Sequence, residues 1–159
     1  LASLHKSTMI VRGVSSAPAK GLDKPEIIVW WKGRALNGDL MLLMAHLLSL
    51  ADEWRRARIT LASISSDSDA IPGLEADLRK LLESGRISAS VEVLQQDPYS
   101  SVVDTIHVRS RGAALVFVGL ADVAEGGERA YADSVLELVA ELPRVILVRN
   151  GGPFQGRLV

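Results

Sequence analysis

The chain has 159 residues, of which 48% are hydrophobic and none is cysteine, and its formal net charge is −1. This length fits one domain with a sizeable core, and the hydrophobic content argues against a disordered chain. The lack of cysteine excludes disulfides and thiolate chemistry. A net charge so close to zero argues against a broad basic field for nucleic acid or for an anionic membrane.

Residues 1–25 are predicted to form an N-terminal tail and linker, with a possible short strand at Met9–Val11. The segment Gly13–Lys24 is rich in Gly, Ser, Pro and Ala, a composition typical of linkers. A single α/β domain is expected over residues 26–152, followed by a C-terminal tail at 153–159. The chain begins without methionine and without a secretory pattern, so we expect it to be part of a longer protein.

Five apolar runs bounded by turn residues predict five strands, and the segments between them predict four helices. The strands are expected at Ile27–Trp31, Ile59–Ile64, Ile87–Leu94, Ala113–Val118 and Val145–Val148. The first helix is expected to be capped by Asp39 and to run into Trp54–Arg56, and the second to end with Gly85 at C′. The third is expected to open at Pro98, and Pro143 to stop the fourth.

Strands that alternate with helices in this way predict a parallel sheet with helices on both faces. We favour a doubly wound, five-stranded parallel sheet of order 3-2-1-4-5, close to universal-stress-protein and nucleotide-binding folds. The longest apolar stretch, Leu40 to Ala51, is shorter than the roughly 20 residues of a membrane-spanning helix. The domain itself is therefore not expected to cross a membrane.

Ligands of such sheets bind beyond the carboxyl ends of the strands. The residues there that could line a cleft are Lys32, Gly33, Gly38 and Gly119. Gly33 and Gly38 have the spacing of a phosphate-binding P-loop, but Asp39 stands where that loop needs lysine, and a carboxylate repels phosphate. The loop after the fourth strand carries three carboxylates and places its glycines late, which also disfavours a nucleotide. No cofactor is expected.

No catalytic or metal-binding constellation stands out among the histidines. His5, His46 and His107 each lack a second histidine or cysteine at metal-ligand spacing, so no metal site is expected. Asp104 lies three residues before His107, which allows an acid–base pair but is more often a surface pair on a helix. The basic segment Arg55–Arg58 closes a helix and has no stacking aromatics around it, so no nucleic-acid binding is expected. We expect no enzymatic activity.

The first helix is apolar over more of its circumference than one sheet face requires. Its apolar residues are Leu40, Met41, Leu42, Leu43, Met44, Ala45, Leu47, Leu48, Leu50, Ala51 and Trp54. A central helix packed beside a neighbouring helix accounts for this pattern, and so does an additional contact with another subunit or subdomain. Methionines make such a surface adaptable.

Five segments carry a likeness to a known family. Ile27–Trp31 is an apolar strand that ends in paired tryptophans, and Gly38–Leu48 is a glycine followed by a leucine-rich helix. Trp54–Leu61 joins a tryptophan and a basic turn to a returning strand. Arg109–Leu120 and Leu142–Gly152 each join basic residues to an apolar strand. In this order the segments resemble the C-terminal cytoplasmic domain of the cation-chloride cotransporter family, in its compact prokaryotic form.

The resemblance implies a universal-stress-protein-like regulatory domain at the cytoplasmic face of the cell membrane, below a twelve-helix transmembrane part. It implies homodimer contacts, the protein's own transmembrane domain as partner, and no catalysis. The sequence departs from the family at Lys32–Arg34, where the family has an acidic loop, and it lacks the long insert of animal members. The alternative is a stand-alone nucleotide-binding protein of the universal-stress-protein kind, which rests on the fold alone.

Overall fold

The computed structural model describes residues 6–13, 24–32 and 37–152. Its sheet contains β1 (Thr8–Arg12), β2 (Glu26–Trp30), β3 (Arg58–Ser65), β4 (Ser90–Gln95), β5 (Leu115–Gly119) and β6 (Val145–Arg149). The α-helices are α1 (Gly38–Ser49), α2 (Ile71–Ser84), α3 (Val102–Ser110) and α4 (Glu128–Ala140), and a 3₁₀ turn spans Asp52–Trp54. No helix in these ranges has both the length and the apolar character that a membrane crossing requires.

The strands β2 to β6 are parallel and lie in the order β4-β3-β2-β5-β6, which confirms the predicted order 3-2-1-4-5. The described sheet nevertheless has six strands rather than five, because β1 pairs antiparallel with β6 as an additional outermost strand. β1 contains Met9–Val11, so a segment from the predicted tail belongs to the sheet. The division of the chain at residues 26 and 152 stays a prediction, and residues 153–159 lie outside the described ranges.

The two ends of the sheet differ in the connections that they carry. The amino edge is where β2 to β6 begin and where each helix returns to a strand, and the carboxyl edge is where these strands end. β1 runs in the opposite direction, so Arg12 lies beside Val145 at the amino edge and Thr8 lies beside Arg149 at the carboxyl edge.

The paired tryptophans lie on opposite faces of the sheet. Trp31 belongs to the core cluster under α1 and α2, which also holds Phe117, whereas Trp30 belongs to the cluster under α3 and α4. Side chains alternate between faces along a strand, so a strand covered on both faces must be apolar at every position. This explains why β2 continues as an unbroken run of buried residues from Ile27 to Trp31.

The first helix differs from the prediction at both ends. It begins at Gly38 with Asn37 at the N-cap, so Asp39 lies in the first turn and does not cap the helix. It ends at Ser49, because the backbone of Ala51 is extended, and the predicted continuation to Trp54 is a separate 3₁₀ turn. The third helix also begins later than Pro98, at Val102.

The second helix ends in a Schellman motif, in which Arg86, not Gly85, is the left-handed C′ residue (φ 52°). The Arg86 N–H donates to Glu83 O (3.1 Å) and the Ile87 N–H donates to Leu82 O (3.0 Å), which is the bond pattern of that motif. Because Ile87 completes this cap against the core, β4 begins only at Ser90, three residues after the predicted start.

Candidate functional site

The place where a ligand is most expected in this fold lies at the carboxyl edge between β2 and β5. The chain runs from β2 to one face of the sheet and from β5 to the other, which opens a crevice in doubly wound folds. Of the residues predicted for a cleft, Lys32 is exposed just beyond β2, and Gly33 lies outside the described residues. Gly38 opens α1 and Gly119 ends β5, so both border this crevice.

Asn37 fills the crevice from the side of α1. It is 9% exposed, and its Nδ2 donates to the carbonyl of Leu120 (2.5 Å) while its Oδ1 accepts from the backbone N–H of Asn150 (2.7 Å). These two partners follow β5 and β6. One side chain therefore ties the start of α1 to the ends of two strands, in place of the local N-cap bond that its position would offer.

The two cleft glycines allow close packing rather than approach of a ligand. A Cβ at Gly119 would lie 3.1 Å from both Cβ and Nδ2 of Asn37. A Cβ at Gly38 would lie within 2.6 Å of three atoms of the Trp31 ring. Asn37 and Trp31 therefore occupy the space that glycines leave open for phosphates in nucleotide sites.

The first two backbone donors of the loop after β5 are also engaged. The N–H of Leu120 donates to Val148 O (2.7 Å), and the N–H of Ala121 donates to the hydroxyl of Tyr131 (2.7 Å). The Asp122 carboxylate in this loop accepts a hydrogen bond from Arg149 (2.6 Å). The positive charge of Arg149 is therefore already paired with a carboxylate. A phosphate needs free N–H groups and positive charge, and this loop supplies neither at these positions.

Asp104 and His107 have separate partners in the structure. Asp104 forms a capping box with Ser101, and hydrogen bonds from Ser101 hold the pKa of the Asp104 carboxyl below its ordinary value. His107 Nε2 lies 2.7 Å from the carbonyl of Leu138 on α4, so this nitrogen is the donor. The arrangement fixes the start of α3 and its contact with α4. Among the described residues, no group of three or more His, Asp or Glu is placed to hold a metal ion, and His5 lies outside them.

A charged network that extends from the amino edge to the middle of β4 was not predicted from the sequence. Arg109, at the end of α3, donates from both Nη atoms to Glu26 (2.8 and 3.2 Å) and from Nε to Glu92 (2.7 Å). Thr60 donates to Glu26 Oε1 as well (2.7 Å). The hydrogen bond from Arg109 lowers the pKa of Glu26 against the opposing effect of burial, and the same bond raises the pKa of Arg109. The network joins three strands to α3.

Ser110 adds a neutral bond beside this network. Its buried hydroxyl accepts from Trp30 Nε1 (3.0 Å), which satisfies the indole on the α3 side of the sheet. The sequence signal for this arrangement was a charged residue, Glu26, directly before an apolar strand, together with the Arg109–Ser110 pair at a helix end. Neither feature identifies the residue that it bonds, because Glu26 and Arg109 are 83 positions apart and Trp30 and Ser110 are 80 positions apart.

Replacing Asn37 with alanine is expected to destabilise the domain by about 2–3 kcal/mol, since it leaves Leu120 O and the Asn150 N–H without their partner. Asn37→Asp is expected to cost at least as much, because a carboxylate oxygen would then face the Leu120 carbonyl. Urea unfolding followed by circular dichroism measures both. Ser84→Ala, which removes an exposed local bond, is the control and is expected to stay within about 0.5 kcal/mol. An Asn37→Ala variant as stable as this control would contradict the bridging role.

The architecture is that of a doubly wound, universal-stress-protein-like α/β fold. The crevice between β2 and β5 is filled, and an antiparallel strand is added beside β6. No family model matches the chain. A solved structure that it resembles is the crystal structure of the cytoplasmic domain of a prokaryotic cation chloride cotransporter, with a TM-score of 0.64 and 21% sequence identity. The match covers 97% of this chain and 56% of that one, so the chain spans little more than half the length of its neighbour. At this identity the likeness establishes the fold.

Proposed function

We propose that this chain is a regulatory and assembly domain on the cytoplasmic side of a cation-chloride-cotransporter-type membrane transporter, and that it performs no catalysis. The observation that carries the proposal is the structural likeness over 97% of the chain to the cytoplasmic domain of such a transporter. The ordered sequence resemblance over residues 27–152 supports the same assignment. In this role the domain acts through its surfaces, with the transmembrane part of the same protein as its partner.

The test of this assignment is the gene product that contains the domain. The proposal expects membrane-spanning helices in the same polypeptide, and a full-length product without any would overturn it. The second function, nucleotide binding by a stand-alone protein, is favoured by the doubly wound fold alone. Isothermal titration with millimolar ATP and AMP separates the two functions. Because Asn37 and Trp31 fill the crevice between β2 and β5, we expect no binding.

The outer surface of α1 supports assembly of the domain as a homodimer, which we include in the proposal. Leu43, Leu47 and Leu50 lie at i, i+4 and i+7 and form one stripe, which we call the outer α1 stripe. Leu47 is 51% exposed and Leu50 is 64% exposed, while Leu43 is partly buried. Contiguous exposed apolar residues on a helix are characteristic of surfaces that meet another protein. A two-fold pairing would bury this stripe against the same stripe of a second copy.

Replacing Leu47 and Leu50 together with glutamine is expected to weaken self-association by at least about a hundredfold, because a two-fold interface loses four apolar side chains at once. Sedimentation equilibrium over a wide concentration range measures the change. Leu136→Gln is the matched control, because Leu136 is 64% exposed, as Leu50 is, and lies on α4 away from the stripe. A wild-type chain that stays monomeric at the highest concentration, or a double variant that associates as the control does, would remove homodimerisation through this surface.

A further inference from the structure

The fold places more basic than acidic side chains at one end of the sheet and more acidic than basic ones at the other, a separation that the net charge of −1 does not reveal. At the amino edge the described residues include nine basic and five acidic side chains. The basic ones are Arg12, Lys24, Arg55, Arg56, Arg58, Arg86, Arg109, Arg111 and Arg144. The acidic ones are Glu26, Asp52, Glu53, Glu83 and Glu141. Arg109 is committed internally to Glu26 and Glu92, and Arg55 pairs with Asp52, so the other charged side chains of this edge are seven basic and three acidic ones.

The carboxyl edge has the opposite balance. Its described acidic residues are Asp39, Asp67, Asp69, Asp97, Asp104, Asp122, Glu125 and Glu128, and its basic residues are Lys6, Lys32, Arg129 and Arg149. The net charge of −1 predicted that the chain has no broad basic field. The topology changes that expectation, because every helix-to-strand connection lies at one edge and carries arginine there.

The cations of the amino edge form a broad surface rather than a pocket. Lys24, Arg86 and Arg111 are all exposed and precede β2, β4 and β5, respectively. β4 and β5 are separated by β3 and β2 in the sheet, so these connections spread over about 14 Å at 4.8 Å per strand. Such spacing suits a flat anionic surface with many charges better than one small anion.

We propose that the amino edge of this domain docks on an anionic membrane surface. The inference rests on the proposed function, which places the domain beside a bilayer. Cytoplasmic leaflets carry anionic lipids that attract clustered Lys and Arg at short range. A nucleic acid fits less well, because non-specific nucleic-acid binders add aromatic side chains on which bases stack. Among the described residues, Trp54 at this edge is only 5% exposed, and the exposed Tyr99 lies at the carboxyl edge.

This orientation sets a length for the connection to the membrane. Residue Lys6 lies at the carboxyl edge, so a connection between it and a membrane at the amino edge must be at least as long as the strands. The longest strand, β3, has eight residues, which corresponds to about 26 Å. About eight extended residues cover that distance.

The test is co-sedimentation of this chain with vesicles of phosphatidylcholine alone and with vesicles containing 30% phosphatidylglycerol, at low salt and at 0.5 M salt. We expect binding only to the anionic vesicles, with loss at high salt because screening shortens the range of the attraction. The variant Lys24→Gln/Arg86→Gln/Arg111→Gln is expected to bind about a hundredfold more weakly, at roughly fivefold for each cation near the surface. The matched control, Lys6→Gln/Lys32→Gln/Arg129→Gln, has the same net charge and is expected to bind within about threefold of wild type.

Four outcomes would overturn the inference. They are no binding to anionic vesicles at low salt, equal loss in the two triple variants, tighter binding to double-stranded DNA at equal phosphate, and low-salt self-association that the vesicles do not displace. The last two would assign the amino edge to a nucleic acid or to the acidic edge of a second copy. The vesicle assay uses the chain alone, so its failure would leave the transporter assignment standing, and the gene-product test would decide that assignment separately.

Discussion

Replacing Gly38 with alanine is expected to destabilise the domain by about 3 kcal/mol, at the upper end of the cost of overpacking a core. The new Cβ would lie within 2.6 Å of three ring atoms of Trp31. The ring has little freedom to move away, because Trp31 is 9% exposed and its backbone N–H and carbonyl are both bonded to β3. Its N–H donates to Ala62 O (2.7 Å) and its carbonyl accepts from the hydroxyl of Ser63 (2.9 Å).

Gly73→Ala is the control for this substitution, since Gly73 lies in α2 and a Cβ there meets nothing within 4 Å. Alanine is expected to stabilise that helix by about 0.5–1 kcal/mol. Trp31→Leu supplies a thermodynamic cycle, in which Gly38→Ala is expected to cost less than about 1 kcal/mol once the large ring is gone. An undiminished cost in the Trp31→Leu background would show that the indole is not what excludes a side chain at position 38.

Replacing Arg109 with methionine is expected to destabilise the domain by about 2–3 kcal/mol at neutral pH. Methionine preserves the length of the stem but leaves Glu26 and Glu92 without their shared cation. Breaking a fully buried ion pair typically costs 3–5 kcal/mol. The side chains of Arg109, Glu26 and Glu92 retain 24%, 19% and 35% exposure, so solvent screening reduces the expected loss.

The same variant is expected to change how stability depends on pH. The bond from Arg109 lowers the pKa of Glu26 below its ordinary value of 4.5. A carboxyl with a lowered pKa in the folded state adds stability that is present above the unfolded pKa and is lost as pH falls through the folded pKa. The gap between wild type and Arg109→Met should therefore shrink in acid. Urea unfolding at neutral pH and at about pH 3 measures the gap, and a gap that stays constant would contradict the network.

Glu26→Gln is the companion variant for this network. It keeps the shape of the side chain and removes its titration, so its stability is expected to fall less steeply between neutral pH and about pH 3 than that of wild type. Lys80→Met, which removes an exposed cation whose nearest carboxylate oxygen is 4.0 Å away, is expected to stay within about 0.5 kcal/mol at either pH.

The parallel sheet was predictable from local patterns, whereas the order of its strands was favoured from architecture among the few arrangements that right-handed crossovers leave. The unbroken apolar run of Ile27–Trp31 requires a strand covered on both faces, and right-handed crossovers then leave few arrangements. Local rules were insufficient where a side chain has a distant partner. Asn37 and Gly38 read as a turn, yet Asn37 is held by bonds to residues 83 and 113 positions away. The network of Arg109 was invisible for the same reason.

Two further differences have more local physical causes. Gly85 was predicted as the left-handed residue after α2, but the core contact of Ile87 shifts that conformation to Arg86, which adopts it despite its Cβ. β1 was uncertain because a five-residue strand with exposed apolar side chains gives no sign of which sheet edge it joins. Antiparallel pairing with β6 depends on strands from opposite ends of the described chain, so no window of sequence contains both partners.

The pairing of β1 with β6 also has a consequence for synthesis of the protein on the ribosome. The bond between Ser7 and Asn150, beside this strand pair, spans 143 positions in the chain. At about 5–20 residues per second, the ribosome completes β6 roughly 7–27 s after it makes β1. Throughout that interval Met9, Ile10 and Val11 have no strand to pair with. The nascent chain thus keeps the backbone of this apolar segment unpaired until translation of the domain is almost finished, and chaperones that bind extended apolar segments have that interval in which to act.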